Sequence, residues 1–150
     1  MKVVLASDHA GHHLRTYLRD FLAQKGIELQ DLGPETTDSV DYPGFADALC
    51  RTLQRGEADW GLLICGSGIG MSIAANRYEG VRAALCREEL SARMSRRHNN
   101  ANVLVLGERF TGLSMAEAIV EAWMDAEFEG GRHERRVNKM MDLEKQSANS

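Results

Sequence analysis

Trp60–Asn76 reads WGLLICGSGIGMSIAAN. Gly61–Cys65 is a short apolar run, which predicts a buried strand. It passes without a charged residue into Gly66-Ser67-Gly68-Ile69-Gly70, and then into the helix-compatible Met71-Ser72-Ile73-Ala74-Ala75. Strand, glycine-rich turn and helix together present backbone N–H groups and a helix N-terminus to an anion. Three glycines in five residues also let the main chain approach a ligand closely. Cys65 adds a thiol at the last position of the strand. Each feature alone is weak, because glycine turns serve as plain connections and a Cys ending a buried strand is usually a small hydrophobe. Their coincidence makes this turn the candidate site.

Upstream, Lys2–Ser7 is a β-branched run of strand length that ends in Asp8-His9-Ala10-Gly11. Helical spacing follows at Leu14, Leu18, Phe21 and Leu22 and closes at Gly26. Ile27–Leu32 is a second short strand, Gly33–Pro43 a polar loop, and Phe45–Arg55 a helix stopped by Gly56. Downstream, Val81–Leu85 and Val103–Leu106 read as strands, and Glu88–Arg97, Ser114–Phe128 and His133–Lys145 as helices before a frayed polar tail. Strands that are nearly all apolar and alternate with helices predict a parallel sheet covered on both faces. The expectation is one α/β domain over residues 1–150, doubly wound and Rossmann/flavodoxin-like, with five parallel strands in order 2-1-3-4-5. In that order the ligand crevice opens between strands one and three, where Asp8-His9 and Cys65–Gly70 converge.

Composition sets bounds on function. A chain of 150 residues that is 43% hydrophobic and 27% charged buries a core without disulfides or metals. The net charge of −4 gives no basic footprint for nucleic acid. No apolar stretch approaches a membrane span, and the N-terminus runs directly into a strand. Three cysteines do not suggest a disulfide framework, so a reduced, cytoplasmic protein is expected.

Cys65 precedes a helix N-terminus and a row of backbone donors, both of which favour a thiolate acting as base or nucleophile. Cys50 and Cys86 read as buried and inert. Ser67 is a turn residue or a hydroxyl that passes protons between substrate oxygens. The N–H groups of the turn suit either a phosphate or an oxyanion, and the residues alone do not choose. Asp8-His9 is an acid/base pair or a helix cap with a solvated imidazole. His9 and His13 are spaced i,i+4, but no third metal ligand stands at recognisable spacing. His98-Asn99-Asn100 ends a helix, and is expected near the carboxyl edge of strand four or five. Arg132 and Arg136 share one helix face and suit a phosphate, with Arg109 a third candidate and Arg96-Arg97 ordinary surface charge.

Five ordered motifs go further: ASDHAG (Ala6–Gly11), DYP (Asp41–Pro43), ICGSGIGMSIAAN (Ile64–Asn76), SRRHNNANVLVLG (Ser95–Gly107) and EGGRHERRV (Glu129–Val137). With them the chain resembles the ribose-5-phosphate isomerase B family, in the group that holds the galactose-6-phosphate isomerase subunits. The resemblance runs from about Lys2 to Glu144. It implies an aldose–ketose isomerase of pentose-phosphate metabolism that works through an enediolate, with no cofactor and no metal. Carried onto this chain, Cys65 would be the base, and the N–H groups of Gly66, Gly68, Ile69 and Gly70 would hold the enediolate oxygens. Ser67 would relay protons, and His98 with Asp8 would open the furanose ring. His9, Arg109, Arg132 and Arg136 would hold the phosphate, with Asn99 and Tyr42 lining the sugar site. The family's homodimers or homotetramers share sites between subunits, and the C-terminal helix at about 132–146 would pack at such an interface. Some relatives carry Thr at the position of Ser67, and a branch with a Glu base has it where this chain has Met71. The chain therefore sorts with the cysteine-base members.

Two rivals to a ribose 5-phosphate isomerase stand beside that reading. One is an isomerase of a hexose 6-phosphate such as allose or galactose 6-phosphate. The other is a phosphosugar-binding module without turnover, against which Cys65, Ser67 and His98 argue together, since a pure binder needs no base. A thiol redox protein lacks its C-x-x-C.

Overall fold

Along β1 (Lys2–Ser7), Val3 and Leu5 join one core layer and Val4 and Ala6 the other, and all four are buried. The period of two sends alternate side chains to opposite faces, so the apolar stretch Val3–Ala6 needs a cover on both. The computed structural model describes residues 1–148 and supplies that cover. The other strands are β2 (Glu28–Asp31), β3 (Trp60–Cys65), β4 (Ala83–Leu85) and β5 (Val103–Gly107). The helices are α1 (His12–Gln24), α2 (Tyr42–Gln54), α3 (Ile69–Ala75), α4 (Glu89–Asn99), α5 (Leu113–Asp125) and α6 (Arg132–Ala148). Leu14, Leu18 and Leu22 of α1 pack with Ala92 of α4 and Ile119 and Trp123 of α5 against one face of the sheet. Leu49 and Cys50 of α2 and Met71 and Ala75 of α3 pack against the other. Among the described residues, no helix is long and apolar enough to cross a membrane.

All strand pairs are parallel, as expected, but the order is β2-β1-β3-β5-β4 rather than 2-1-3-4-5. All five residues of β5 are buried, which requires a neighbour on each side. The three residues of β4 are only partly buried, and this short strand takes the edge. The crevice between β1 and β3 survives the exchange, because β2 still lies on one side of β1 and β3 on the other. Element ends move by a few residues: α2 begins at Tyr42, inside the expected loop, with Asp41 before it and Pro43 in its first turn. The expected frayed tail is helical as far as Ala148, and positions 149–150 lie outside the described residues.

Arg15, 2% exposed, ties the ends of β1 and β2 together. Its Nη1 donates to Ser7 Oγ at 2.6 Å, its Nη2 to the Pro34 carbonyl, and its Nε lies 3.1 Å from Asp31 Oδ1. Burial pulls the guanidinium below its ordinary range and Asp31 opposes that pull. Removing the cation leaves a buried hydroxyl and a loop carbonyl without donors, at about 1–3 kcal/mol each. Arg15→Met is expected to lower the unfolding free energy by about 2–3 kcal/mol in urea titrations at unchanged m-value. A loss below about 1 kcal/mol would mean that Arg15 does not hold this corner.

Candidate active site

At the carboxyl edge of the sheet, the turn after β3 is built by close backbone approach. Gly68 sits at φ +79°, and a Cβ there would lie 2.5 Å from Leu85 Cδ1 and 3.0 Å from the Leu106 carbonyl carbon, so only glycine fits. Register pairs Cys65 with Gly107, and a Cβ on Gly107 would fall 2.4 Å from the Ser67 oxygen. Cys65, 4% exposed, accepts a hydrogen bond at Sγ from the Gly68 N–H at 3.2 Å. Burial pushes the other two thiols up, Cys50 to about 12 and Cys86 above its usual range, which keeps both inert. Ser67 Oγ accepts from the Ile69 N–H at 3.2 Å, so the hydroxyl organises the turn as well as facing it.

The flanking elements close around this turn. Because β5 adjoins β3, the N–H of Arg109 donates to the Gly66 carbonyl at 3.0 Å, and its guanidinium lies against Gly66. The next residue back, Glu108, accepts from the Leu14 N–H at 2.6 Å and so caps the start of α1. Tyr42, at the start of α2, lies over Gly70, where a Cβ would meet its ring at 2.5 Å. Asp8 Oδ1 accepts from Gly11 N at 3.1 Å, which is the capping role. His9 Nδ1 accepts from the Val40 N–H at 3.1 Å, so the ring hydrogen sits on Nε2 when the imidazole is neutral. Asp8, His9, Tyr42, Cys65–Gly70 and Arg109 therefore form one crevice.

His98, Asn99, Arg132 and Arg136 are not there. A helix in a parallel α/β unit runs back against the strands, so α4 leaves the carboxyl edge after β4 and ends at the amino edge. Gly61 at the start of β3 donates to the Asn102 carbonyl at 2.9 Å, and Asn102 Oδ1 accepts from Arg82 N at 2.7 Å, which places the end of α4 ahead of β3, β4 and β5. Cys65 lies four residues beyond Gly61, ~13 Å along the strand. The expectation that His98 sits near the carboxyl edge is thus corrected: within one chain it faces away from Cys65 and Asp8. Its imidazole stacks on that of His133 at 4.2 Å with 6° between planes, which brings the first turns of α6, and Arg132 and Arg136 with them, to the same end.

Sequence reasoning missed Glu129 and His133 beside His98; only their spacing of four hinted at them. It also misread Arg96, which is buried, donates to the Ala101 carbonyl at 2.6 Å and lies 4.6 Å from the Trp60 ring.

Residues 3–140 match the model of the family described as Ribose/Galactose Isomerase. The chain belongs to that family. It is 43% identical over 143 residues to the ribose-5-phosphate isomerase B of Escherichia coli (strain K12), covering 95% of this chain and 96% of the relative. It is 39% identical over 141 residues, 93% of each chain, to the D-erythrulose-4-phosphate isomerase of Pectobacterium atrosepticum. Its fold superposes on the ribose-5-phosphate isomerase B of Clostridium thermocellum with a TM-score of 0.97 at 48% identity, covering 98% of this chain and 99% of that one. The fold of this isomerase-family chain leaves the Ser67 carbonyl no room for a side chain at position 107. Gly107→Ala is expected to keep the far-UV spectrum and cut sugar-phosphate isomerisation about 100-fold, by displacing the turn about 1 Å. Unchanged turnover would show that the Gly107 contact does not set the geometry.

Proposed function

We propose that the chain interconverts D-ribose 5-phosphate and D-ribulose 5-phosphate by proton transfer between C1 and C2, with Cys65 as the base. The observation that carries this reading is the Gly68 N–H donating to Cys65 Sγ, which holds the one thiol of the crevice against the backbone donors of the glycine turn. The N–H groups of Gly66, Gly68, Ile69 and Gly70 hold the enediolate oxygens, where charge develops, with those of Gly68 and Ile69 passing to the substrate from Cys65 Sγ and Ser67 Oγ. Ser67 passes protons between the two oxygens, and Tyr42 bounds the sugar. His9 and Arg109 hold the phosphate, which orients the reacting carbons. Relatives named ribose-5-phosphate isomerase B favour the pentose phosphate, and the Pectobacterium relative marks how readily this scaffold takes another sugar phosphate.

The ring opener and the pair Arg132 and Arg136 come from another copy of the chain. His98 with Asn99, Arg132 and Arg136 form a half-site at the amino edge, and Cys65 with Asp8 and His9 form the other at the carboxyl edge. A homodimer or homotetramer that faces one half-site with the other completes each site. Exposed apolar side chains border both halves: Ile69 and Ile73 on α3 and Phe110 after β5 at one, Met140 and Leu143 on α6 at the other. The second copy's His98 then opens the furanose ring beside Asp8. A reduced cytoplasmic compartment suits a site that works through a free thiolate.

Steady-state assays with ribose 5-phosphate beside allose 6-phosphate and galactose 6-phosphate test the reaction. A clear kcat/KM preference for the pentose is expected; a hexose preference would change the substrate and keep the mechanism. Turnover of none of them would leave a phosphosugar-binding module. Cys65→Ala is expected to abolish turnover while binding of the phosphosugar persists, and retained activity would remove the thiol from the mechanism. A shared site adds a sharper outcome. Cys65→Ala and His98→Asn, each inactive alone, are expected to regain about one quarter of wild-type activity when dissociated and reassembled together, because half the random dimers carry one intact site of two. No recovery in verified mixed dimers would place both residues in one chain's site.

A further inference from the structure

We propose that His98, Glu129 and His133 form a binding site for a dication of the zinc class, and that an ion held there withdraws His98 from ring opening. Among the described residues, one ligand atom from each of these three side chains lies within 4.8 Å of the other two. Glu129 Oε1 is 3.8 Å from His98 Nε2 and 3.7 Å from His133 Nε2. Ligands about 2.1 Å from a tetrahedral ion stand ~3.4 Å apart, so a small inward movement of each brings the donors onto one ion.

Two further observations point to a ligand. His133 is 8% exposed, and its Nε2 is buried without a hydrogen-bond partner. An orphaned buried nitrogen of this kind asks for an occupant. The carboxylate is already aimed: Arg97 Nε donates to Glu129 Oε2 at 2.6 Å, and Glu129 N donates to the Arg97 carbonyl at 3.0 Å, which leaves Oε1 for the two imidazoles.

Two imidazoles and one carboxylate select the ion. They suit zinc, cobalt(II) or nickel(II), whereas magnesium and calcium prefer all-oxygen shells. The stacked rings set the one rearrangement required. Lone pairs in parallel planes do not meet at a point, so the His98 ring, at a side-chain exposure of 36%, turns toward the buried His133. The cations of Arg132 and Arg136 oppose a dication and make the affinity moderate, which suits a reversible inhibitor rather than a resident structural ion. Binding does not depend on the function proposed above; its effect on turnover rests on the role given there to His98.

Calorimetry of the intact wild-type assembly with zinc chloride, and absorption spectra with cobalt chloride, test the site without turnover. One ion per chain is expected, with d–d bands, no thiolate charge-transfer band, and no binding of magnesium. His133→Asn and the more exposed Glu129→Gln are each expected to weaken binding about tenfold or more, while Cys65→Ala leaves it unchanged. No binding at millimolar zinc, binding indifferent to both substitutions, or binding lost with Cys65→Ala would overturn the site. Zinc that binds there without slowing the isomerisation of cyclic ribose 5-phosphate would overturn its inhibitory action. The substrate assays decide the isomerase reading separately, so the two failures are distinguishable.

Discussion

The site depends on one close approach, the Gly107 Cα pressed against the Ser67 carbonyl across the β3–β5 pair. A strand with a side chain at that position would push the glycine turn outward, and with it the donor at Gly68 that faces Cys65. The same pairing carries Arg109 to the Gly66 carbonyl and Glu108 to the start of α1. One strand end thus fixes three elements of the crevice. Had β4 occupied the place beside β3, the residue opposite Cys65 would come from a partly buried strand of three residues rather than a buried one of five.

Much of this was legible in the sequence because the signals were local. Apolar strand runs, glycine stops and the strand–turn–helix at Gly61–Ala75 each depend on residues a few positions apart, and all five strands and six helices stand where those signals put them, with ends shifted by a few residues. Strand order was not local. It turned on whether five fully buried residues or three partly buried ones took the inner position, a comparison of burial that is decided only when both pack on one sheet. Arg96 failed for the same reason. A charged residue in the run Arg96-Arg97-His98 reads as solvated, yet its guanidinium lies over Trp60 and Trp123, residues distant in sequence.

The candidate site was half legible. Residues following β1 and β3 must meet at the switch point of any doubly wound sheet, so Asp8, His9 and Cys65–Gly70 were placed correctly from topology. His98 was misplaced by the same topology applied without its direction: a helix that returns from the carboxyl edge ends at the amino edge. The motif carried the residue type but not the side of the sheet on which it would act.

Under the proposed reaction, that division of the residues would make activity a property of association. If, as proposed, base and ring opener lie on opposite edges of each chain, a monomer would gather the thiol, the backbone donors and part of the phosphate site at one edge and carry the ring-opening imidazole at the other. Assembly energy and catalytic competence then become linked, and anything that binds the assembled form raises both. The exposed apolar side chains of α3 and α6 are consistent with this link, for they border the half-sites rather than lying apart from them. The buried His133 beneath His98 fits as well. An imidazole that, on that reading, would meet a substrate held by another chain gains from a rigid backing, and a stack at 4.2 Å with parallel rings supplies one that no flexible side chain could.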